Sequence, residues 1–428
     1  MKHIGICIFI LFIATILNAQ TISVRCNIMN GGQGQTLRVN KYTDYLTEME
    51  ETIFQTIIDK NQTVVLTIDA NETSEYIFYI DFAEASAILQ PNTNYLINIF
   101  LPEKNNNITN PFQNKQELEL YISSSSNNDA NAQINEFDRN YDNFLYNNFH
   151  AQSIRNNAKL HDNYKTETIS KLNNNTDDFV KTYIDYSFAL TEMSLKNIDK
   201  DFIDKYLINK EISYNNPMYM MFFKEINDKY DLLKNDTTIR GTQLKELIDI
   251  YKLMNNAKNA RINQDKNLKI IKSGIDKSKY PEHKKLCADI YKFLTQYKAG
   301  SIMPIVRFID STGNSVIIAD TNKYIYYFFF KPQLDLCNIV LDEFRDFNFE
   351  KYNIQPVFVS LDMNNIQDTS IFNIYRVQDV VGTHQSLGIR SYPFAIITDN
   401  KCKIIKYDAP YRKGELELYL KNEKFTRL

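Results

Sequence analysis

A run of seven apolar and aromatic residues, Tyr324–Phe330 (YIYYFFF), constrains the fold of this chain more than any other feature. An unbroken apolar run of this length is typical of a strand that is buried on both faces of its sheet. Strand and helix patterns alternate around it, with a second apolar strand pattern at PVFVSLD and a closing helix pattern at GELELYLKN. We therefore predict a mixed sheet with covering helices over residues 300–428, which makes this part an α/β domain.

The preceding residues predict two further domains and a linker. Residues 20–103 contain short runs rich in β-branched and aromatic residues, separated by turn clusters, which predicts a β-sandwich. Residues 104–131 are rich in Asn and Ser, and we interpret them as a loop or linker around one short amphipathic piece. Residues 132–299 carry apolar side chains at three- and four-residue spacings, which predicts a helical domain. The chain of 428 residues is thus predicted to be a multidomain protein.

The first residues have the pattern of an export signal. Lys2 and His3 precede an apolar run over residues 4–17, and a small residue, Ala19, follows it. The run is about 14 residues long, which is shorter than the roughly 20 that a membrane-spanning helix needs. We therefore interpret residues 1–19 as a signal peptide and expect no membrane span after its cleavage.

Charge and cysteine content exclude two classes of protein. The formal net charge is -3, so we expect no nucleic-acid partner. Beyond Cys7, which lies in the predicted signal peptide, the chain has Cys26, Cys287, Cys337 and Cys402. In an exported protein these four permit disulfides whose pairing the spacing leaves open. None of them forms a Cys-x-x-Cys pair, which excludes a zinc ribbon.

Four features of residues 300–428 together carry a family resemblance. They are a Gly-x-x-x-Pro pattern at Gly300 and Pro304, the strand Tyr324–Phe330, the strand PVFVSLD and the segment 388–405. With these features the segment resembles the thioredoxin-like domains of the TlpA/ResA type, which are secreted thiol-disulfide oxidoreductases of bacteria. The last feature is the most specific, because the family has a cis-proline there before a strand, a turn and a return strand. The resemblance implies that Pro393 is this cis-proline.

The redox centre of that family is incomplete in this chain. The family places Trp-Cys-x-x-Cys at the start of the first helix, where the helix N-terminus stabilises the thiolate of the first Cys. One register puts Gln333 at the Trp position, Leu334 at the first Cys and Cys337 at the second. A shifted register makes Cys337 the first Cys and puts Val340 at the second. Neither register contains a Cys-x-x-Cys pair.

Two functions remain open. The first is a redox-silent module that binds an extended peptide or an envelope protein and needs no cofactor. The resemblance places its binding segment at Arg390, Ser391, Tyr392 and Pro393, where a peptide would bind by strand addition. The second is a thiol-disulfide oxidoreductase whose catalytic group is the single thiol of Cys337. The whole arrangement resembles envelope proteins of Bacteroides-type bacteria, so we expect secretion across the inner membrane to the periplasm or cell envelope.

Other catalytic patterns are weak. His150 and His161 are about three helical turns apart, but no third ligand has a matching spacing, so we predict no metal site. We interpret His384 as a surface-loop residue. Asp335 is interpreted as a helix-start residue that complements the helix dipole.

Overall fold

The computed structural model describes most of the chain, namely residues 20–80, 83–102, 116–148, 154–229, 241–258, 264–316, 318, 322–360, 372–389, 391–423 and 425. The predicted signal peptide lies outside these residues, as do His150 and Arg390. Within the described ranges, no helix is both long and apolar enough to cross a membrane.

Two sheets pack face to face in residues 21–124, which we call the β region. Its strands are β1 (Thr21–Met29), β2 (Thr36–Tyr42), β3 (Glu50–Ile57), β4 (Thr63–Asp69), β5 (Ser74–Ile80), β6 (Ala83–Leu89), β7 (Asn94–Phe100), β8 (Gln116–Glu117) and β9 (Glu119–Ser124). One sheet has the order β4-β1-β7-β9 and the other has the order β3-β2-β5-β6-β8. Alternate side chains of β1, such as Val24 and Cys26, are buried between the sheets, as the two-residue period of a strand requires.

The interpretation of residues 104–131 as a linker is wrong over their described part. Strands β8 and β9 lie within this segment, and β9 pairs with β7 along one edge of its sheet. Leu120 and Ile122 pack against the sandwich core, while Glu119, Tyr121 and Ser123, which alternate with them, are exposed. The Asn- and Ser-rich composition hid this alternation. The first helix begins at Ala130, shortly after the last strand.

Residues 130–295, which we call the helical region, contain eight helices in the described ranges. They are α1 (Ala130–Asn148), α2 (Ile154–Lys171), α3 (Asp178–Leu195), α4 (Lys200–Ile203), α5 (Pro217–Lys229), α6 (Gln243–Lys258), α7 (Gln264–Lys277) and α8 (Pro281–Thr295). A π-helical turn, Asp204–Ile208, follows α4. Apolar side chains at helical spacing form a shared core, for example Phe222 and Ile226 of α5 against Leu247 of α6.

The mixed sheet predicted for the end of the chain is present in residues 308–422, which we call the α/β region. Its elements are β10 (Phe308–Ile309), β11 (Ser315–Val316), β12 (Tyr324–Phe330), α9 (Asp335–Phe344), β13 (Ile354–Ser360), β14 (Ile374–Val377), α10 (Val380–Leu387), β15 (Phe394–Thr398), β16 (Ile404–Tyr407) and α11 (Lys413–Asn422). The strand order is β11-β10-β14-β13-β12-β15-β16, and β12 runs parallel to β13 and antiparallel to β15.

Strand β12 is the centre of this sheet and is buried on both faces. Tyr327 and Phe329 belong to the core on one side, and Tyr326 and Phe328 belong to the core on the other. This two-sided burial explains the unbroken apolar run in the sequence. The two-sided burial ends with Phe330, the last residue of β12, and α9 begins shortly after it.

Candidate functional site

The start of α9 is where the redox motif of the thioredoxin-like family would stand. Strand β12 ends at Phe330, and α9 begins at Asp335 with Leu334 as its N-cap residue. The backbone of Leu334 is extended, and its side chain is half-buried against the core beneath α9. Leucine has no ionisable group, so a side chain at this position does not attack a disulfide.

Cys337 lies in the first turn of α9 and is 0% exposed. It packs in one core with Val340 and Phe344. Burial raises the pKa of the Cys337 thiol to about 11, and the backbone and charge of Lys331 oppose this shift only in part. The thiol is therefore protonated and shielded at neutral pH. These properties fit the register in which Cys337 stands at the second Cys, which the family keeps shielded.

The other described cysteines offer no partner for Cys337. All four, Cys26, Cys287, Cys337 and Cys402, are free thiols in the described part of the chain. Burial raises the pKa of Cys26 to about 12 and that of Cys287 to about 11. Cys402 is half-buried in the turn between β15 and β16 and has a positive φ of 59°. The disulfides that the cysteine count permitted are therefore not formed among these residues.

The peptide bond between Tyr392 and Pro393 is cis, as the resemblance implied. Ser391 is exposed, Tyr392 is half-buried and Pro393 is buried. The Tyr392 ring packs against the cores on both sides of the sheet, and its hydroxyl contacts Nε2 of His384. Of the four residues predicted for peptide binding, Arg390 is not described, and Ser391 is the one whose side chain reaches the surface.

The interpretation of His384 as a surface-loop residue is wrong. His384 lies in α10 and is 5% exposed. Burial, helped by the charge of Lys331, lowers its pKa to about 3, and burial together with Cys337 raises the pKa of Tyr392. The sequence indicates this helix through the two residues that cap its ends. Asp379 accepts the N–H of Gly382 at the start of α10, and Gly388 (φ 62°) ends it.

One further cluster has the composition of a metal site but is already neutralised. His161, Asp162 and Glu192 each have a ligand atom within 4.8 Å of the others. However, Nζ of Lys165 lies 3.1 Å from Glu192, and Nζ of Lys196 lies 2.5 Å from Asp162 and 3.3 Å from Glu192. Because lysines already bind both carboxylates, we interpret the cluster as a structural ion-pair network.

A cavity of about 1600 Å³ opens beside the cis-proline segment, where the three regions meet. Its floor is the outer face of β2 and β3, and its walls come from α10, residues 304–307 and Ser391 on one side and from α5, α6 and α8 on the other. The floor side chains alternate along the two strands as one face requires, apart from a three-residue step in β3 where its register with β2 shifts; they are Thr36, Arg38, Asn40, Glu50, Thr52, Gln55 and Ile57.

Arg38 joins the floor of this cavity to α10. The side chain is 2% exposed and forms an ion pair with Asp379, and its Nη1 donates a hydrogen bond to Oε1 of Gln385 at 2.9 Å. Gln55 also donates to Asp379, at 3.0 Å. The Asp379 carboxylate therefore caps α10 and also binds α10 to the β region. Sequence reasoning missed Arg38, because an arginine within a strand pattern is expected to face solvent.

Part of the chain is similar to proteins of known structure. No protein-family model matches it, and no curated protein matches it. One similar solved structure is the thioredoxin domain of a thiol-disulfide oxidoreductase from Bacteroides vulgatus, with 24% identity, a TM-score of 0.26, and coverage of 29% of this chain and 97% of that one. A thiol:disulfide interchange protein from Bacteroides sp. has 26% identity, a TM-score of 0.27, and coverage of 31% and 91%.

A putative thiol:disulfide interchange protein DsbE from Chlorobium tepidum is also similar. It has 19% identity, a TM-score of 0.25, and coverage of 30% of this chain and 96% of that one. The similar structures are thus thioredoxin-like domains, each matching about 30% of the chain. At these TM-scores the similarity does not transfer the activity of those proteins to this chain.

Proposed function

We propose that this chain is an exported thioredoxin-like protein that has no thiol-disulfide exchange activity and that binds extended polypeptides in the cell envelope of its bacterium. The observation that carries the proposal is that Cys337, the one thiol of the segment where the family would have its redox motif, is fully buried with a raised pKa. In the register that we propose for this segment, Leu334 takes the place of the family's nucleophile. Thiol exchange needs an accessible thiolate, and these residues supply none at neutral pH.

The binding role is supported by the exposure and position of Ser391 in the segment before the cis-proline. Ser391 is exposed beside the cis-proline and lines the large cavity, so backbone groups next to Ser391 lie at a surface that a second chain can reach. An extended peptide can bind such a segment by adding a strand, which needs main-chain hydrogen bonds and no thiol. The buried packing of Tyr392 against both cores holds the segment in place.

A binding assay without thiol chemistry tests this proposal. The probe is reduced and carboxymethylated α-lactalbumin, an unfolded polypeptide whose cysteines are blocked. We expect the full chain without its signal peptide to bind it, and the variant Cys337→Ala to bind it within about twofold of the wild type, because a buried thiol contributes no contact. Absence of binding to the wild type, or loss of binding in Cys337→Ala, contradicts the proposal.

Export is the second part of the proposal, and it rests on the apolar run and the small residue before Gln20. We expect the protein expressed in a Gram-negative host to appear in the periplasmic fraction with Gln20 at its N-terminus. Deletion of residues 2–17 should leave the protein in the cytoplasm. Recovery of a full-length chain that still carries residues 1–19, in the cytoplasmic fraction, contradicts this part.

A further inference from the structure

The floor of the cavity includes the outermost strand of one sheet. Strand β3 is the outer strand of its sheet, and its pairing partner in the described residues is β2 on one side. Its side chains are largely exposed, including Ile53 (36%) and Ile57 (63%). The outer edge of such a strand presents a row of backbone N–H and C=O groups to which another extended chain can bind.

The wall beside this edge is cationic. The helical region contributes Lys224, Lys258 and Lys292 to the cavity lining and contributes no acidic residue to it. Lys224 pairs with Glu48, two residues before β3, at 2.8 Å, which shows that the wall stands next to the start of that strand. Lys258 lies 5.0 Å from the centre of the Phe293 ring, and within the described residues neither Lys258 nor Lys292 forms an ion pair.

The opposite side of the cavity adds a cation and an apolar contact. Arg307 lines the cavity, is exposed, and forms no ion pair with any residue that the structure describes. Ile305 lines it as well and is 81% exposed. Four acidic residues also line the cavity: Asp379 is paired with Arg38, Glu48 is paired with Lys224, and Glu50 and Asp408 line it as well. The cations that form no ion pair with a described residue, Lys258, Lys292 and Arg307, therefore lie on the walls of the cavity.

The size of the cavity favours a polymer over a small ligand. Small-molecule sites usually occupy about 300–1,000 Å³, whereas this cavity has about 1600 Å³. A free strand edge offers hydrogen-bonding groups at the repeat of a polypeptide main chain. A polypeptide therefore fits these groups better than an oligosaccharide does.

We propose that the cavity is the polypeptide site of this protein, and that it selects an acidic extended segment which adds as a strand to β3 with its carboxylates toward Lys258 and Lys292. This inference rests on the proposed function and narrows it to a substrate class. The backbone of β3 supplies the affinity that is independent of sequence, the lysines supply the preference for Asp and Glu, and Ile57 and Ile305 contact the apolar side chains of the segment.

Binding of fluorescein-labelled octapeptides to the full chain, without its signal peptide, tests this site. The probe alternates valine and glutamate, and two matched probes replace glutamate by lysine or carry N-methyl groups on alternate peptide bonds. We expect the acidic probe to bind and both matched probes to bind at least tenfold more weakly. The double variant Lys258→Gln/Lys292→Gln should weaken binding of the acidic probe about tenfold at low salt, as expected for two solvent-exposed charge pairs.

The control is the double variant Lys266→Gln/Lys269→Gln on the exposed face of α7, which should bind the acidic probe like the wild type. The inference is overturned if the lysine probe or the N-methylated probe binds equally well, if Lys258→Gln/Lys292→Gln binds unchanged, or if an acidic oligosaccharide, hexagalacturonate, binds more tightly than the peptide. If carboxymethylated α-lactalbumin still binds in any of these cases, the cavity assignment fails while the proposed function stands.

Discussion

The buried thiol of Cys337 should be alkylated far more slowly than an ordinary cysteine. Its pKa is about 11, against an ordinary value of 9.0. At pH 8 the thiolate fraction is then about one in a thousand instead of about one in ten, so ionisation alone slows alkylation about 100-fold. Because the side chain is 0% exposed, the reagent must also wait for local opening of α9, which slows the reaction further.

The assay is labelling of the native protein with iodoacetamide at pH 8, followed by digestion and mass spectrometry. Cys402 is the internal comparator, because it is half-buried and lies in an exposed turn. We expect Cys402 to be labelled first and Cys337 at least 100-fold more slowly, and we expect the two rates to become similar in concentrated urea. Labelling of native Cys337 within tenfold of the rate of Cys402 contradicts the account of an inert thiol.

Two further predictions follow from α10. The pKa of His384 is lowered to about 3 by burial, so the unfolded chain binds a proton that the folded chain does not, and stability falls as the pH drops below about 6.5. Between pH 6 and pH 4.5, His384 should lower the unfolding free energy by about 1.4 kcal/mol per pH unit, and His384→Gln should lack this contribution to the slope. Urea unfolding followed by circular dichroism measures the slope, and an unchanged slope in the variant contradicts the burial of a neutral imidazole. Asp379→Asn keeps the cap of α10 but leaves Arg38 buried without its counter-charge, which should cost about 2 kcal/mol of unfolding free energy. Asp199→Asn, which alters the cap residue of α4, is the control and should change stability by less than about 0.5 kcal/mol; equal effects of the two variants contradict a role for the ion pair.

The parts of the fold that the sequence predicted are those with strong local signals. The apolar run of β12 predicted a strand buried on two faces. The cis peptide bond at Pro393 was implied by the family resemblance of the segment around it. Helices α2 and α7 lie within the predicted helical domain, and α7 places Leu268, Ile271 and Ile275 on its buried side at helical spacing. Strand β9 was assigned to a loop or linker around one short amphipathic piece, because its core-facing Leu120 and Ile122 alternate with exposed residues in an Asn- and Ser-rich segment.

The site required contacts between residues that are far apart in the sequence. The ion pair of Arg38 with Asp379 joins positions separated by 341 residues, and no local pattern indicates it. The cavity likewise exists because β3, α6, α8 and α10 meet in space. The lack of a Cys-x-x-Cys pair, in contrast, could be read directly from the sequence, because it needs no tertiary information.

The most direct test of the central claim is reduction of insulin by dithiothreitol, followed by turbidity. We predict that the wild type and Cys337→Ala leave the reaction at its uncatalysed rate. Leu334→Cys, which restores the Cys-x-x-Cys spacing with Cys337, is the matched positive control and should accelerate it. Acceleration by the wild type that disappears in Cys337→Ala would contradict the claim that this chain has kept a binding site and lost the chemistry.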